Sequence, residues 1–211
     1  MQYAVIVVGA VGEFVGWWLV SAKRFDVWKL MPGVLGAMGV AAALTRPPVG
    51  AETGGTTAVV VGLGSGLALY LGTRAFVWAA SHWTPFRHDV VDQYARAGDV
   101  TLVRSLVLSL AIMVPAEELF WRGLAQPALA GSIDPLPAAV AAWLGYVCAN
   151  AASRSLPILA GAIVGGALWA GLAWWSGGVL ASLASHILWT GLMLALPPGA
   201  GREAIEEGAA R

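Results

Sequence analysis

Two adjacent glutamates followed by an arginine are the residues of this chain best suited to chemistry. Glu117 and Glu118 come directly after the apolar run 106–113, and Arg122 follows Glu118 by four residues. An ionisable side chain at membrane depth costs about 2.5–3.5 kcal/mol and is by default a functional-site candidate. Helical residues four apart meet, so Arg122 should hold Glu118 while Glu117 points elsewhere and stays free for acid–base chemistry. The alternative is an ion pair at the point where a helix leaves the lipid.

Three polar side chains in later apolar runs are candidates to join this pair. His186 and Thr190 lie four residues apart in the last run, hence on one face of a helix, and Asn150 lies in an earlier run. A lone buried histidine is more often a packing residue than a catalyst, but the spacing to Thr190 and the company of buried carboxylates favour a functional role. Because buried polar groups need hydrogen-bond partners, we expect Glu117, Asn150, His186 and Thr190 to line one polar cavity.

The composition predicts that these residues lie in a polytopic membrane protein. Of the 211 residues, 58% are hydrophobic and 11% are charged, whereas a soluble domain has about 25% charged residues. The net charge is zero and there is no basic patch, which argues against a nucleic-acid partner. We expect a multi-pass protein of the cell membrane, with membrane lipid as a partner. No feature of the sequence indicates an oligomeric state.

Seven apolar runs approach the ~20 residues that a spanning helix needs. We therefore predict an all-α transmembrane helical bundle with about seven spanning helices, or eight if a further turn enters the membrane. The runs are 3–21, 30–45, 56–80, 102–121, 136–153, 156–175 and 178–196.

The same runs divide the chain into three predicted parts. Residues 1–100 hold three membrane helices and the polar stretch 84–100, which fits a short amphipathic helix at the interface. Residues 101–196 hold the core helices with the candidate site residues. Residues 197–211 are small and charged, and we predict a flexible tail.

Glycines at alternate positions in the third run resemble a phosphate loop only superficially. Gly62, Gly64 and Gly66 lie inside an apolar run, with neither the preceding strand nor the Lys-Ser/Thr pair of such loops. Their setting favours close packing between helices.

The glutamate pair and the later polar residues together resemble a known family. Glu117-Glu118-Leu119-Phe120-Trp121-Arg122 matches the EExxxR motif of the CPBP intramembrane proteases, which include type 2 CAAX prenyl endopeptidases and bacteriocin-processing or immunity proteins. The resemblance covers roughly residues 100–196 in the family's motif order. Tyr146-Val147-Cys148-Ala149-Asn150 stands where the family has aromatic-xxx-His, and His186-Ile187-Leu188-Trp189-Thr190 stands where it has His-xxx-Asn.

The resemblance implies an intramembrane endopeptidase that acts on a peptide or a membrane protein. In the family, the first glutamate and the second-motif histidine are thought to activate water, and the third motif is thought to support the oxyanion. Glu117 would then be the base, Asn150 would orient the water, His186 and Thr190 would donate to the oxyanion, and Glu118 with Arg122 would support the site. The scheme requires no cofactor, and zinc is the alternative because family members are often called metalloproteases.

Two departures from the family pattern leave the catalytic set incomplete. Asn150 replaces a histidine, and its amide neither titrates near neutral pH nor binds metals well. Thr190 replaces an asparagine but keeps one donor. A non-catalytic family member that binds a peptide or a helix, such as an immunity protein against a peptide toxin, is therefore the alternative function. His82 and His88 are the candidates to replace the missing histidine.

Overall fold

Eight helices longer than two turns form the part of the chain that the structure, a computed structural model, describes, namely residues 2–45, 47–98, 100–199 and 201–202. In chain order they are α1 (Gln2–Ser21), α2 (Val27–Ala43), α3 (Gly55–Ala80), α4 (Thr84–Gly98), α5 (102–130), α6 (Pro135–Ala151), α7 (Leu156–Ser176) and α8 (Leu180–Ala195). No strand occurs among the described residues, and the predicted all-α class is confirmed. Residues 203–211, most of the predicted tail, lie outside the described residues.

Helix α5 carries the paired glutamates and is longer than predicted. Its α-helical segments Leu102–Leu108, Val114–Glu117 and Gln126–Ala130 alternate with the π-helical segments Ser109–Met113 and Glu118–Ala125. The predicted helix end at residue 121 is therefore wrong. Gly123 does not end the helix but allows a close approach, because a Cβ there would lie 2.8 Å from the Cβ of Pro47. Short π-helical segments inside α-helices are frequent at functional sites.

Helices α3 and α8 pack closely through small residues. A Cβ on Gly66 would lie 2.6 Å from the carbonyl oxygen of Ser185, and one on Gly62 would lie 2.9 Å from the Cβ of Ala184. A Cβ on Gly64, in contrast, would meet nothing within 4 Å. The predicted packing role is thus confirmed for Gly62 and Gly66, and it is wrong for Gly64.

This contact gives a matched pair of variants on one helix. Gly66→Ala should destabilise the protein by about 1–3 kcal/mol, because the added methyl group overpacks a close backbone contact. Gly64→Ala makes the same chemical change at an open position and should leave stability unchanged or slightly raised, since alanine is the better helix former. Thermal unfolding of both variants in detergent measures the difference. Equal unfolding temperatures would contradict the close α3–α8 contact.

Helix α4 has one apolar face, which it packs against the helix bundle. Phe86, Val90 and Tyr94 recur at four-residue spacing and are buried together with Val77 of α3. The Tyr94 hydroxyl donates a hydrogen bond to the carbonyl oxygen of Met193, at 3.0 Å. An amphipathic helix is therefore present at Thr84–Gly98, and its predicted place at the membrane interface stays a prediction.

Three of the described helices, α1, α3 and α7, are long and apolar enough to cross a membrane by length and composition. Helices α2 and α8 are apolar but shorter. The predicted count of seven or eight spans stays a prediction.

Candidate active site

A cavity of about 620 Å³ lies among the helices and reaches the centre of α5. Its lining includes Glu117, Asn150, His186 and Thr190, which come from α5, α6 and α8. Most of the other lining side chains are apolar or aromatic. The predicted convergence of these four residues is present in the structure, and their chemical roles stay predictions.

Glu118 connects an arginine to a histidine. Its Oε1 lies 3.3 Å from Arg122 Nη1 and 2.9 Å from His186 Nδ1, and its side chain is completely buried. The ion pair predicted from the i, i+4 spacing is confirmed. The contact with His186 joins α5 to α8, and the spacing did not predict it. Glu118 therefore does more than hold α5 in place, since it also fixes the imidazole.

His186 is held so that its second nitrogen faces Glu117. Because an ionised carboxylate only accepts hydrogen bonds, Nδ1 carries a proton and donates it to Glu118, which fixes the tautomer of the neutral ring. The imidazole stacks on Trp169 with ring centroids 3.5 Å apart, which fixes the plane of the ring. Its Nε2 then lies 3.9 Å from Glu117 Oε2. The cavity thus presents a carboxylate and an imidazole nitrogen side by side.

Arg122 is buried in contacts that bind α5 to α6 and α7. Its Nη2 donates to the carbonyl oxygen of Gly166 at 3.1 Å. The guanidinium carbon lies 4.6 Å from the ring centroid of Tyr146 and 5.5 Å from that of Trp169, within the range of cation–π attraction. Arg122 therefore acts from behind the cavity by fixing Glu118 and the aromatic walls.

Glu13 in α1 is a residue of the polar network that the sequence analysis missed. Its carboxylate is completely buried and accepts hydrogen bonds from Trp121 Nε1 at 2.9 Å and from Asn150 Nδ2 at 3.0 Å. The signal was available, since Glu13 is an ionisable residue inside the apolar run 3–21, which is the argument that singled out Glu117.

Neither histidine proposed as a replacement for the missing one reaches the cavity. His82 is exposed, and its Nδ1 is hydrogen-bonded to the carbonyl oxygen of Ala79 at 3.0 Å. His88 is exposed on α4 and does not line the cavity. The position of the family's second-motif histidine is therefore filled by Asn150 with Glu13 behind it.

The polar groups of the site do not match the ligand set of a zinc ion. Within the described part of the chain, no group of three His, Cys, Asp or Glu side chains is placed to hold a metal ion. Oxygen Oε1 of Glu118 already has both Arg122 and His186 as partners. A zinc site needs three or four protein ligands.

The comparison with protein families agrees with the motif and with the geometry. Residues 99–192, just under half of the chain, match the family described as Rce1-like, type II CAAX prenyl endopeptidase Rce1-like. The matched segment contains α5, α6, α7 and most of α8, and with them all of the predicted site residues. No curated protein and no solved structure matches the chain. Over residues 99–192 the chain is similar to the Rce1-like type II CAAX prenyl endopeptidases, and the CPBP resemblance predicted from its motifs is confirmed.

Proposed function

We propose that the protein is a multi-pass endopeptidase of the cell membrane that hydrolyses peptide bonds with a water molecule activated by Glu117. The observation that carries the proposal is the pairing of Glu117 Oε2 with His186 Nε2, 3.9 Å apart, in the lining of one large cavity. The similarity of residues 99–192 to a CAAX endopeptidase family supports the same reaction class.

The proposed reaction uses Glu117 as general base. Glu117 takes one proton from water, the water oxygen attacks the carbonyl carbon of the peptide, and the proton later passes to the leaving nitrogen. The carbonyl oxygen becomes negative in the intermediate and needs donors. Thr190 donates its hydroxyl hydrogen. His186 donates from Nε2 once the proton that Glu117 takes from water has moved to that nitrogen, and Glu118 stabilises the resulting imidazolium until the proton passes on to the leaving nitrogen.

The cavity lining suggests the class of substrate, and the lengths of the helices suggest how the protein lies in the membrane. Its lining is mostly apolar and aromatic, which suits the apolar part of a membrane-associated peptide or a membrane protein. Among the described helices, α1, α3 and α7 are both long and apolar enough to span by themselves. We propose that α2, α5, α6 and α8 complete a bundle of seven spans, with α4 at the interface and lipid around the outside.

Mass spectrometry of a degenerate peptide library tests the proposal. The purified wild type in liposomes should generate new peptide ends, and Glu117→Gln in the same liposomes should generate them about 10²–10⁴-fold more slowly. Glu52→Gln, which makes the same change at an exposed residue, should behave as the wild type. No cleavage by the wild type, or the same products from Glu117→Gln at the wild-type rate, would contradict the proposed reaction.

A second candidate function is supported by the hydrogen bonds of Asn150 and by its lack of a titratable group. Its amide nitrogen donates to Glu13 and to the backbone of Tyr146, and it brings no titratable group to the place where the family has a histidine. A protein that binds a peptide or helix in this cavity without cleaving it would tolerate that change. In that case the library peptides would be retained intact by the wild type and by Glu117→Gln alike.

A further inference from the structure

The contacts of Asn150 determine which end of its amide faces the cavity. The amide nitrogen lies 3.0 Å from the carbonyl oxygen of Tyr146 and 3.0 Å from Glu13 Oε1. A backbone carbonyl can only accept, so the atom beside it must be the nitrogen. The two hydrogens of that nitrogen are then used by Tyr146 and Glu13. The carbonyl oxygen Oδ1 of Asn150 is therefore the end that is left for a further partner.

This oxygen belongs to a side chain of the cavity lining. Asn150 lines the same cavity as Glu117 and His186. Its Oδ1 receives no hydrogen bond from the residues that the structure describes, since both hydrogen bonds of the side chain run through Nδ2. An amide oxygen accepts and never donates. The cavity thus offers a fixed acceptor at the position where the family has a titratable histidine.

Glu13 and the carbonyl of Tyr146 together prevent the Asn150 amide from turning over. It is anchored by a second hydrogen bond from Trp121 Nε1 at 2.9 Å, and Trp121 follows Glu117 by one turn of α5. Glu13 therefore ties α1 to both α5 and α6. Rotation of the Asn150 amide would place its oxygen against the carboxylate of Glu13 and the carbonyl of Tyr146, leaving three acceptors together without a donor.

We propose that Glu13 is a positioning residue of the site: it fixes Asn150 so that Oδ1 accepts one hydrogen of the water whose other hydrogen is taken by Glu117. The inference rests on the proposed function and deepens it. The hydrogen held by Asn150 stays on the attacking oxygen, while the proton held by Glu117 leaves it. Asn150 needs no titratable group for this task, because it orients the water and does not take a proton.

The variant Glu13→Gln tests this role with little change in shape. Trp121 donates to Oε2 of Glu13 and Asn150 donates to Oε1, and a glutamine has an NH2 donor in place of one of these oxygens, so one of the two hydrogen bonds is lost. We expect kcat for a peptide identified from the library to fall by about 10- to 100-fold, as for a misplaced reacting group. KM should stay within twofold, because the water and not the peptide loses its orientation. Glu52→Gln is the matched control and should keep both constants.

A double-mutant cycle separates positioning from general support of the fold. If Glu13 acts through Asn150, adding Glu13→Gln to Asn150→Ala should lower kcat by less than twofold further. A full 10- to 100-fold loss in that background would overturn the inference. If Glu13→Gln does not fold, as judged by thermal unfolding, Glu13→Asp takes its place in the same cycle, because it keeps both oxygens and shifts them by one methylene.

The outcomes also separate this inference from the proposed function. A wild type that cleaves nothing, or a Glu117→Gln variant that cleaves within twofold of the wild-type rate, overturns the proposed function. An inactive Glu117→Gln variant together with a Glu13→Gln variant at the wild-type kcat overturns only the positioning role of Glu13.

Discussion

Asn150→His is expected to raise the rate of peptide cleavage by about 10²–10⁴-fold, the contribution that a positioned acid–base group commonly makes. The variant supplies the titratable partner that the family has at this position. Glu13 Oε1 now accepts from the Asn150 amide, and it can accept from one ring N–H of the histidine in the same way. The other ring nitrogen would then face the cavity, where it can share the proton that Glu117 takes from water. The rate of product formation from a single cleaved peptide measures the effect.

Two controls test whether the increase in rate requires a titratable side chain at position 150 and whether it requires Glu117. Asn150→Gln changes the size of the side chain without adding a titratable group, and it should not increase the rate. Asn150→His combined with Glu117→Gln should lose the gain entirely, because the added histidine works only with the glutamate. If the wild type cleaves well and Asn150→His cleaves at the same rate, the protein does not need a histidine at position 150.

Arg122→Ala is expected to destabilise the folded protein by about 3–5 kcal/mol, as is typical when one partner of a buried ion pair is removed. The arginine pairs with the buried Glu118 and donates to Gly166, and it lies against the rings of Tyr146 and Trp169. Its removal leaves the buried carboxylate of Glu118 without a cation beside it, and only the hydrogen bond from His186 then faces its Oε1. Unfolding in a denaturing detergent, followed by circular dichroism, measures the loss.

A second arginine on the same helix provides the control for this prediction. Arg104 is exposed near the start of α5, and Arg104→Ala should unfold as the wild type does. Glu117→Gln should also lose less stability than Arg122→Ala, since Glu117 has no comparable partner. Equal, wild-type-like unfolding of Arg122→Ala and Glu117→Gln would contradict the supporting role of the arginine.

Most helices could be predicted from the sequence, because each is an apolar run that ends at polar, glycine or proline residues. Six of the seven predicted runs agree with a helix to within three residues at each end. The exception is α5, where residue 121 was expected to end the helix. Gly123 and the polar residues before it look like a helix end in sequence, but the glycine faces Pro47 from a distant part of the chain. This tertiary contact explains why a glycine lies inside the helix, and no local signal predicted the π-helical segments.

In the site too, a contact between residues close in sequence was predictable, and contacts between distant residues were not. The pairing of Glu118 with Arg122 follows from a four-residue spacing, and it is present. The contact of Glu118 with His186 spans 68 residues, and that of Glu13 with Asn150 spans 137, so no spacing rule reaches them. The convergence of Glu117 and His186 was predicted from the need of buried polar groups for partners. The same argument, applied to Glu13, would have added this residue to the predicted polar network.

The role of Glu117 is tested by the rate at which the wild type and Glu117→Gln, both purified and reconstituted in the same liposomes, cleave one identified peptide. We expect Glu117→Gln to bind the peptide with an unchanged affinity and to unfold at the wild-type temperature, while kcat/KM falls by about 10²–10⁴-fold. A value of kcat/KM within twofold of the wild type would show that Glu117 does not activate the water.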